Sequence, residues 1–151
     1  QGKAFDLMNI ARLLPMLFAA VYFSRAHLKF SAIVPALCIL LFWLNPVGIQ
    51  VWYYPLIWLV PVAATFLPDK LLLKSFGSTL TAHAIGSVLW LWTVPMTVAQ
   101  WQMVVPVAIV ERSSFALGIA VSYLAVNYVL DKFTMSSKAG FPHVDRRYVL
   151  G

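Results

Sequence analysis

Charge is scarce in this chain: 11% of its 151 residues are Asp, Glu, Lys or Arg, while 62% are hydrophobic. Soluble domains carry about 25% charged and about 45–50% apolar residues, so this chain has too little polar surface to cover a soluble fold. Cysteine is nearly absent as well. Cys38 stands alone, which excludes a disulfide-stapled scaffold, and the apolar content excludes disorder. No HExxH, GxSxG, P-loop or paired His/Cys ligand set occurs, which argues against a membrane metalloprotease or an NTPase. Of the three histidines, His27, His83 and His143, only His83 lies within an apolar stretch, so no haem, metal or other cofactor is expected.

What is present is a series of long apolar runs, and a mean hydropathy of +0.83. A helix that crosses a bilayer needs about 20 mostly apolar residues. Five stretches qualify: about 7–24, 30–47, 51–67, 78–98 and 103–130. They are apolar on all sides and do not alternate as the strands of a membrane barrel would. The reading is an all-α, polytopic transmembrane helical bundle over 1–132, followed by a polar, basic tail over 133–151. Prolines inside the runs are tolerated in such a bundle because neighbouring helices satisfy the freed carbonyls.

The net charge of +6 would suggest nucleic acid in a soluble protein, but no basic run interleaves with aromatics, and no nucleic-acid partner is expected. The cations sort by side instead. Arg25 and Lys29 lie in the first link, Lys70 and Lys74 in the third, and Lys132, Lys138, Arg146 and Arg147 in the tail. Against these eight, the opposite side holds only Lys3. The positive-inside rule then places the N-terminus outside and the C-terminal tail in the cytoplasm of a cell membrane. Trp43, Trp52, Tyr53, Tyr54 and Trp101 gather at the two uncharged links, as an outer interfacial belt would. The chain starts at Gln1 without a signal peptide, and the expectation is a sixth helix upstream in the full-length protein.

The fifth run is too long. Its 28 residues would make about 42 Å of helix against a hydrocarbon core of about 30 Å, so a break near Pro106 and Glu111-Arg112 is expected. Charge inside a span costs about 2.5–3.5 kcal/mol at the centre, which makes Arg12, Glu111, Arg112 and the titratable His83 the candidate functional residues. Arg12 and Glu111 both fall in the outer half, so an ion pair between them is expected, with Asn9 one turn away. His83, counted from the inner end of its span, lies about 20 Å below Glu111, nearer Asn127. Thr79, His83, Gly86, Trp90, Thr93 and Thr97 form one face of the fourth run. Ser114, Gly118, Ser122 and Ala125 offer a line of small residues on which that face could pack.

Each candidate has a plainer role to weigh. Glu111-Arg112 could cap a helix at the outer interface, Arg12 could snorkel, His83 could bond a neighbouring helix, and Trp90 could simply pack. Cys38 is expected to be an inert packing residue. The favoured expectation is a small-solute binding or transport component, with Asn9, Arg12, His83, Trp90, Glu111 and Arg112 around a small anionic or aromatic solute. Trp58 or Trp90 would stack on that solute. The alternative is a non-catalytic assembly subunit of a larger membrane complex or a homo-oligomer. An enzyme using Glu111 or His83 as a base ranks last, because no nucleophile accompanies them. In every case the lipid bilayer is a partner.

Overall fold

Proline determines where most of the helices begin. A residue in the first turn has no intrahelical acceptor for its N–H, so proline loses nothing there. The structure, a computed structural model, describes residues 11–25 and 29–136, and four prolines fall in such first turns. Pro15 is second in α1 (Leu14–Arg25), and Pro35 is third in α2 (Ile33–Trp43). Pro55 is second in a 3₁₀ segment, Tyr54–Trp58, and Pro61 is third in α3 (Leu59–Ala64). Two shorter 3₁₀ pieces, Lys29–Ala32 and Gly48–Val51, complete this half of the chain. The prolines expected to interrupt long spans therefore open short helices.

The remaining residues build two long helices, α4 (Leu71–Thr93) and α5 (Val98–Ser136). No strand occurs among the described residues, so the chain is all-helical. Among the described residues one helix, over Val98–Phe133, is long and apolar enough to cross a membrane. Leu14–Ser24, Ile33–Trp43 and Tyr54–Ala64 are apolar but shorter. α4 is 23 residues long, about 35 Å, and carries more serine and threonine.

α4 is the hub, with α1, α2, α3 and α5 all packed on it. Its buried hydroxyls are satisfied locally: Ser75 donates to the Leu71 carbonyl at 2.9 Å and Thr81 to the Gly77 carbonyl at 2.7 Å. Ser78 instead reaches across to the Ala19 carbonyl of α1 at 2.8 Å. Gly77 opens a gap in α4 that the Tyr22 ring fills, letting the Tyr22 hydroxyl donate to the Pro61 carbonyl of α3 at 2.7 Å. A side chain at 77 would collide with that ring. Cys38 is free and buried in the core.

α5 differs from expectation by being one continuous helix. Its start is defined by a reciprocal cap. The Thr97 backbone N–H donates to Gln100 Oε1 at 2.8 Å, and the Gln100 N–H returns to Thr97 Oγ1 at 3.3 Å. Pro106 sits inside the helix without ending it. The Glu111-Arg112 pair, expected at a break, is instead internally neutralised at 2.7 Å within the helix. Trp101, Ala108, Ala116 and Asn127 are buried at intervals of seven, eight and eleven residues, which is one narrow stripe of an α-helix. The other faces are mostly exposed and apolar, with Met103, Val107, Val110 and Leu117 among them.

Two packing expectations are corrected. Ser114, Gly118, Ser122 and Ala125 do not face α4; all four are exposed, and nothing lies within 4 Å of a Cβ placed on Gly118. The buried stripe runs along a different side of α5, where large and small residues alternate against the core. Of the expected aromatic belt, Trp52 and Tyr53 are exposed, but Tyr54 and Trp101 are core residues. Phe42 draws them in: its ring centroid lies 5.4 Å from Tyr54, 5.4 Å from Trp58 and 5.3 Å from Trp101.

Candidate functional site

The aromatic cluster around Phe42 forms a floor, and a cleft lies beside it between α1, α4 and α5. Pro15 and Met16 come from α1, His83, Gly86, Ser87 and Trp90 from α4, and Trp101, Val104 and Arg112 from α5. Its volume is about 430 Å³, within the range of small-molecule sites. A second cleft of about 240 Å³ adjoins it, lined by Arg12, Leu89, Thr93 and Val94. The two share Pro15, Gly86 and Trp90.

Four of the candidate residues thus come together. Arg12, His83, Trp90 and Arg112 all line this pair of clefts, and Glu111 is held beside them by its 2.7 Å contact with Arg112. Asn9 lies outside the described residues. The expected Arg12–Glu111 ion pair does not form; among the described residues Arg112 pairs with its own neighbour Glu111, and no carboxylate pairs with Arg12.

The 20 Å separation between His83 and Glu111 is also corrected. His83 is ten residues before the end of α4 and Glu111 is thirteen residues after the start of α5. Measured from the turn that joins these antiparallel helices, their depths are about 15 and 20 Å, a difference of about 5 Å. α5 is much longer than α4, so the inner ends of the two helices are not level and a count from them overstates the gap. Asn127 is correspondingly about 22 Å further along α5 than Arg112, so it is not the neighbour of His83.

His83 is instead held by the floor. Its Nε2 lies 2.7 Å from the Tyr54 hydroxyl, which is also 3.3 Å from Ser87 Oγ. The ring is flanked edge-on by Tyr54 and Trp58. Ser87 is one helical turn after His83, so both reach Tyr54 from one side of α4. Trp58 is fully buried behind this group and does not line the cleft. Trp90 does line it, is 53% exposed, and donates through Nε1 to Met96 Sδ at 3.0 Å.

Among the described residues three buried donors meet no acceptor: Trp58 Nε1, Trp101 Nε1 and Arg112 Nε. Two of these residues line the larger cleft, and Trp101 is only 2% exposed. A buried donor without a partner costs about 1–3 kcal/mol. The donor atoms themselves have no access to the cleft, so they lie behind its wall rather than on it. Among the described residues no cluster of His, Cys, Asp or Glu could hold a metal ion.

Tyr54, Ser87, Trp101 and Pro15 are not among the site candidates of the sequence, where Tyr54 and Trp101 are belt residues. Ser87 was detectable, at the i+4 position from His83. Trp101 was detectable only once the Thr97–Gln100 cap had placed the start of α5. Tyr54 gave no signal of its own. Comparison with protein-family models, curated proteins and solved structures gives no match.

Proposed function

We propose that the chain is a membrane-embedded component that binds a small solute, with transport as the purpose of binding. The observation that carries this reading is the cleft between α1, α4 and α5, which brings His83, Trp90 and Arg112 together beside the smaller cleft of Arg12. Arg12, Arg112 and Glu111 tune its charge, His83 and Ser87 fix Tyr54 at its floor, and Trp90 flanks the solute. The membrane setting is supported by the exposed apolar surface of α5 and by the grouping of cations in alternate links. In this reading the chain crosses the bilayer five times, with its tail in the cytoplasm.

The test is thermal unfolding of the detergent-solubilised protein against a panel of anionic and aromatic solutes. One class should stabilise it, by about 2.7 kcal/mol at a hundredfold excess over Kd. Arg12→Ala and Arg112→Gln should lose the gain while remaining folded. If no solute shifts unfolding and both substitutions abolish folding, the cluster is structural.

A second reading, a non-catalytic subunit of a larger complex, is favoured by one observation. The exposed line Ser114, Gly118, Ser122 and Ala125 would let another helix approach α5 closely. Disulfide cross-linking through Gly118→Cys in native membranes would support that reading, and its absence would remove the support.

A further inference from the structure

α1 and α5 both lean on α4 and leave a gap between themselves, and part of that gap is an apolar groove that shares no residue with the two clefts. Phe23 of α1 forms one wall, and Phe115, Gly118, Ser122, Tyr123 and Val126 of α5 form the other, around about 500 Å³. We propose that this groove holds one chain of an anionic phospholipid of the inner leaflet, with the lipid phosphate against Lys74. The proposal rests on the membrane setting of the proposed function and not on its solute cleft.

The rings fix the two ends of the groove. Phe23 meets Tyr123 with centroids 5.6 Å apart, and the Lys74 ammonium lies 5.1 Å from the centre of the Phe23 ring. The charge therefore stands at the Tyr123 end. At the Phe115 end the Arg112 guanidinium lies 4.7 Å from the ring centre, and Glu111 already balances it at 2.7 Å. The eight residues from Phe115 to Tyr123 cover about 12 Å of helix, and one leaflet of hydrocarbon is about 15 Å deep. The groove is thus nearly one leaflet deep, with its unbalanced cation on the side where the sequence gathers lysine and arginine.

Lys74 has donors to spare. Its carboxylate contact, Asp69, is at 4.0 Å, beyond hydrogen-bond range, and no acceptor among the described residues bonds its Nζ. The two links at this end carry Arg25, Lys29, Lys70 and Lys74 against Asp69 alone, a balance that attracts an anionic headgroup and disfavours the ammonium of a zwitterionic one. Ser113 and Ser114 donate back to the Ile109 and Val110 carbonyls at 2.7 and 2.9 Å. Ser122 makes no such bond among the described residues, so its hydroxyl can serve a lipid ester carbonyl just below the phosphate. Gly118 keeps the middle open, since nothing lies within 4 Å of a Cβ placed there. A second copy laid parallel on Gly118 and Ser122 would bring no carboxylate to the level of Lys74, because α5 has none between Glu111 and Asp131. A lipid fills the groove and meets the charge together.

The experiment uses the full chain, stripped of lipid in mild detergent, and native mass spectrometry with added phosphatidylglycerol or phosphatidylcholine of identical chains. Phosphatidylglycerol should be retained about fivefold more strongly, the effect of one lysine beside an anionic headgroup. Lys74→Gln should reduce it to the level of phosphatidylcholine; should that variant not fold, Lys74→Met serves in its place. Gly118→Leu, which fills the groove, should displace both lipids while thermal unfolding shows the protein intact. Lys132→Gln should change nothing, because Lys132 lies beyond the groove, over the Tyr128 ring at 5.6 Å. Glycerol 1-phosphate, a phosphate without a chain, should not bind.

Equal retention of the two lipids by the parent, a preference that survives loss of the Lys74 charge, or adducts unchanged in Gly118→Leu overturns the proposal and leaves the solute cleft untouched. Glycerol 1-phosphate bound as tightly as the lipid would mean a plain anion site and also overturns it. A dimer that excludes lipid, and that Gly118→Leu dissociates, would put a second copy on the groove instead. A chain that fails to incorporate into liposomes removes the membrane setting, and the proposal with it.

Discussion

Two glycines in α4 have opposite reasons to lack a side chain. Gly77 is filled by the Tyr22 ring, whose hydroxyl ties α1 to α3. Gly77→Ala should cost about 1–3 kcal/mol by overpacking, and thermal unfolding in detergent would show it. Gly86 meets only one distant atom, so Gly86→Ala should stabilise the helix by up to about 1 kcal/mol. Equal effects at the two sites would contradict this account of the helix packing. Tyr54 makes a third case. Tyr54→Phe removes the partner of both His83 and Ser87 and should cost about 1–3 kcal/mol, because buried polar atoms lose their bonds. His83→Gln in the same background should then cost less than it does alone. None of these distinctions can be read from composition, since both glycines lie in the same helix.

At the level of elements, the apolar runs were enough to establish that the chain is helical, and not enough to place the helix ends. The tetrad Thr97-Val98-Ala99-Gln100 is a capping box that starts α5 at Val98. Starting that helix at 103 from hydropathy alone left 99–102 as a link. The prolines misled in the opposite way. Read as interruptions of long spans, Pro35, Pro55 and Pro61 instead mark first turns, so the second and third runs are short helices joined by 3₁₀ pieces. Thr97→Ala and Gln100→Ala should each destabilise the fold by about 1 kcal/mol, and together by less than their sum, because each removes the same reciprocal cap. Additive losses in thermal unfolding would mean that the two side chains do not act as one unit.

On the scale of the whole molecule, the scarcity of charge remains the most informative property. The described residues group Arg12, Glu111, Arg112 and His83 around adjoining clefts, while most of the outer surface of α5 is apolar. Those four were legible because charged or titratable residues are rare in apolar runs. Arg12, Glu111 and Arg112 were expected at one level; the nearness of His83 was not, because it depends on the antiparallel register of α4 and α5. The topology makes its own prediction. In a Cys38→Ala background, Gln50→Cys should react with an impermeant thiol reagent from outside intact cells, and Ser137→Cys should not. Cys38 itself is buried, so the parent should label poorly. The opposite labelling pattern would invert the orientation and leave the clefts as they are.

The central claim is that the cleft across Gly86 holds a solute, and native mass spectrometry of the gently solubilised protein tests it most directly. The parent should retain a small-molecule adduct that Gly86→Leu and Arg12→Ala, both folded, do not. An adduct carried equally by all three proteins, or a parent that binds lipid alone under conditions that preserve its fold, would contradict it.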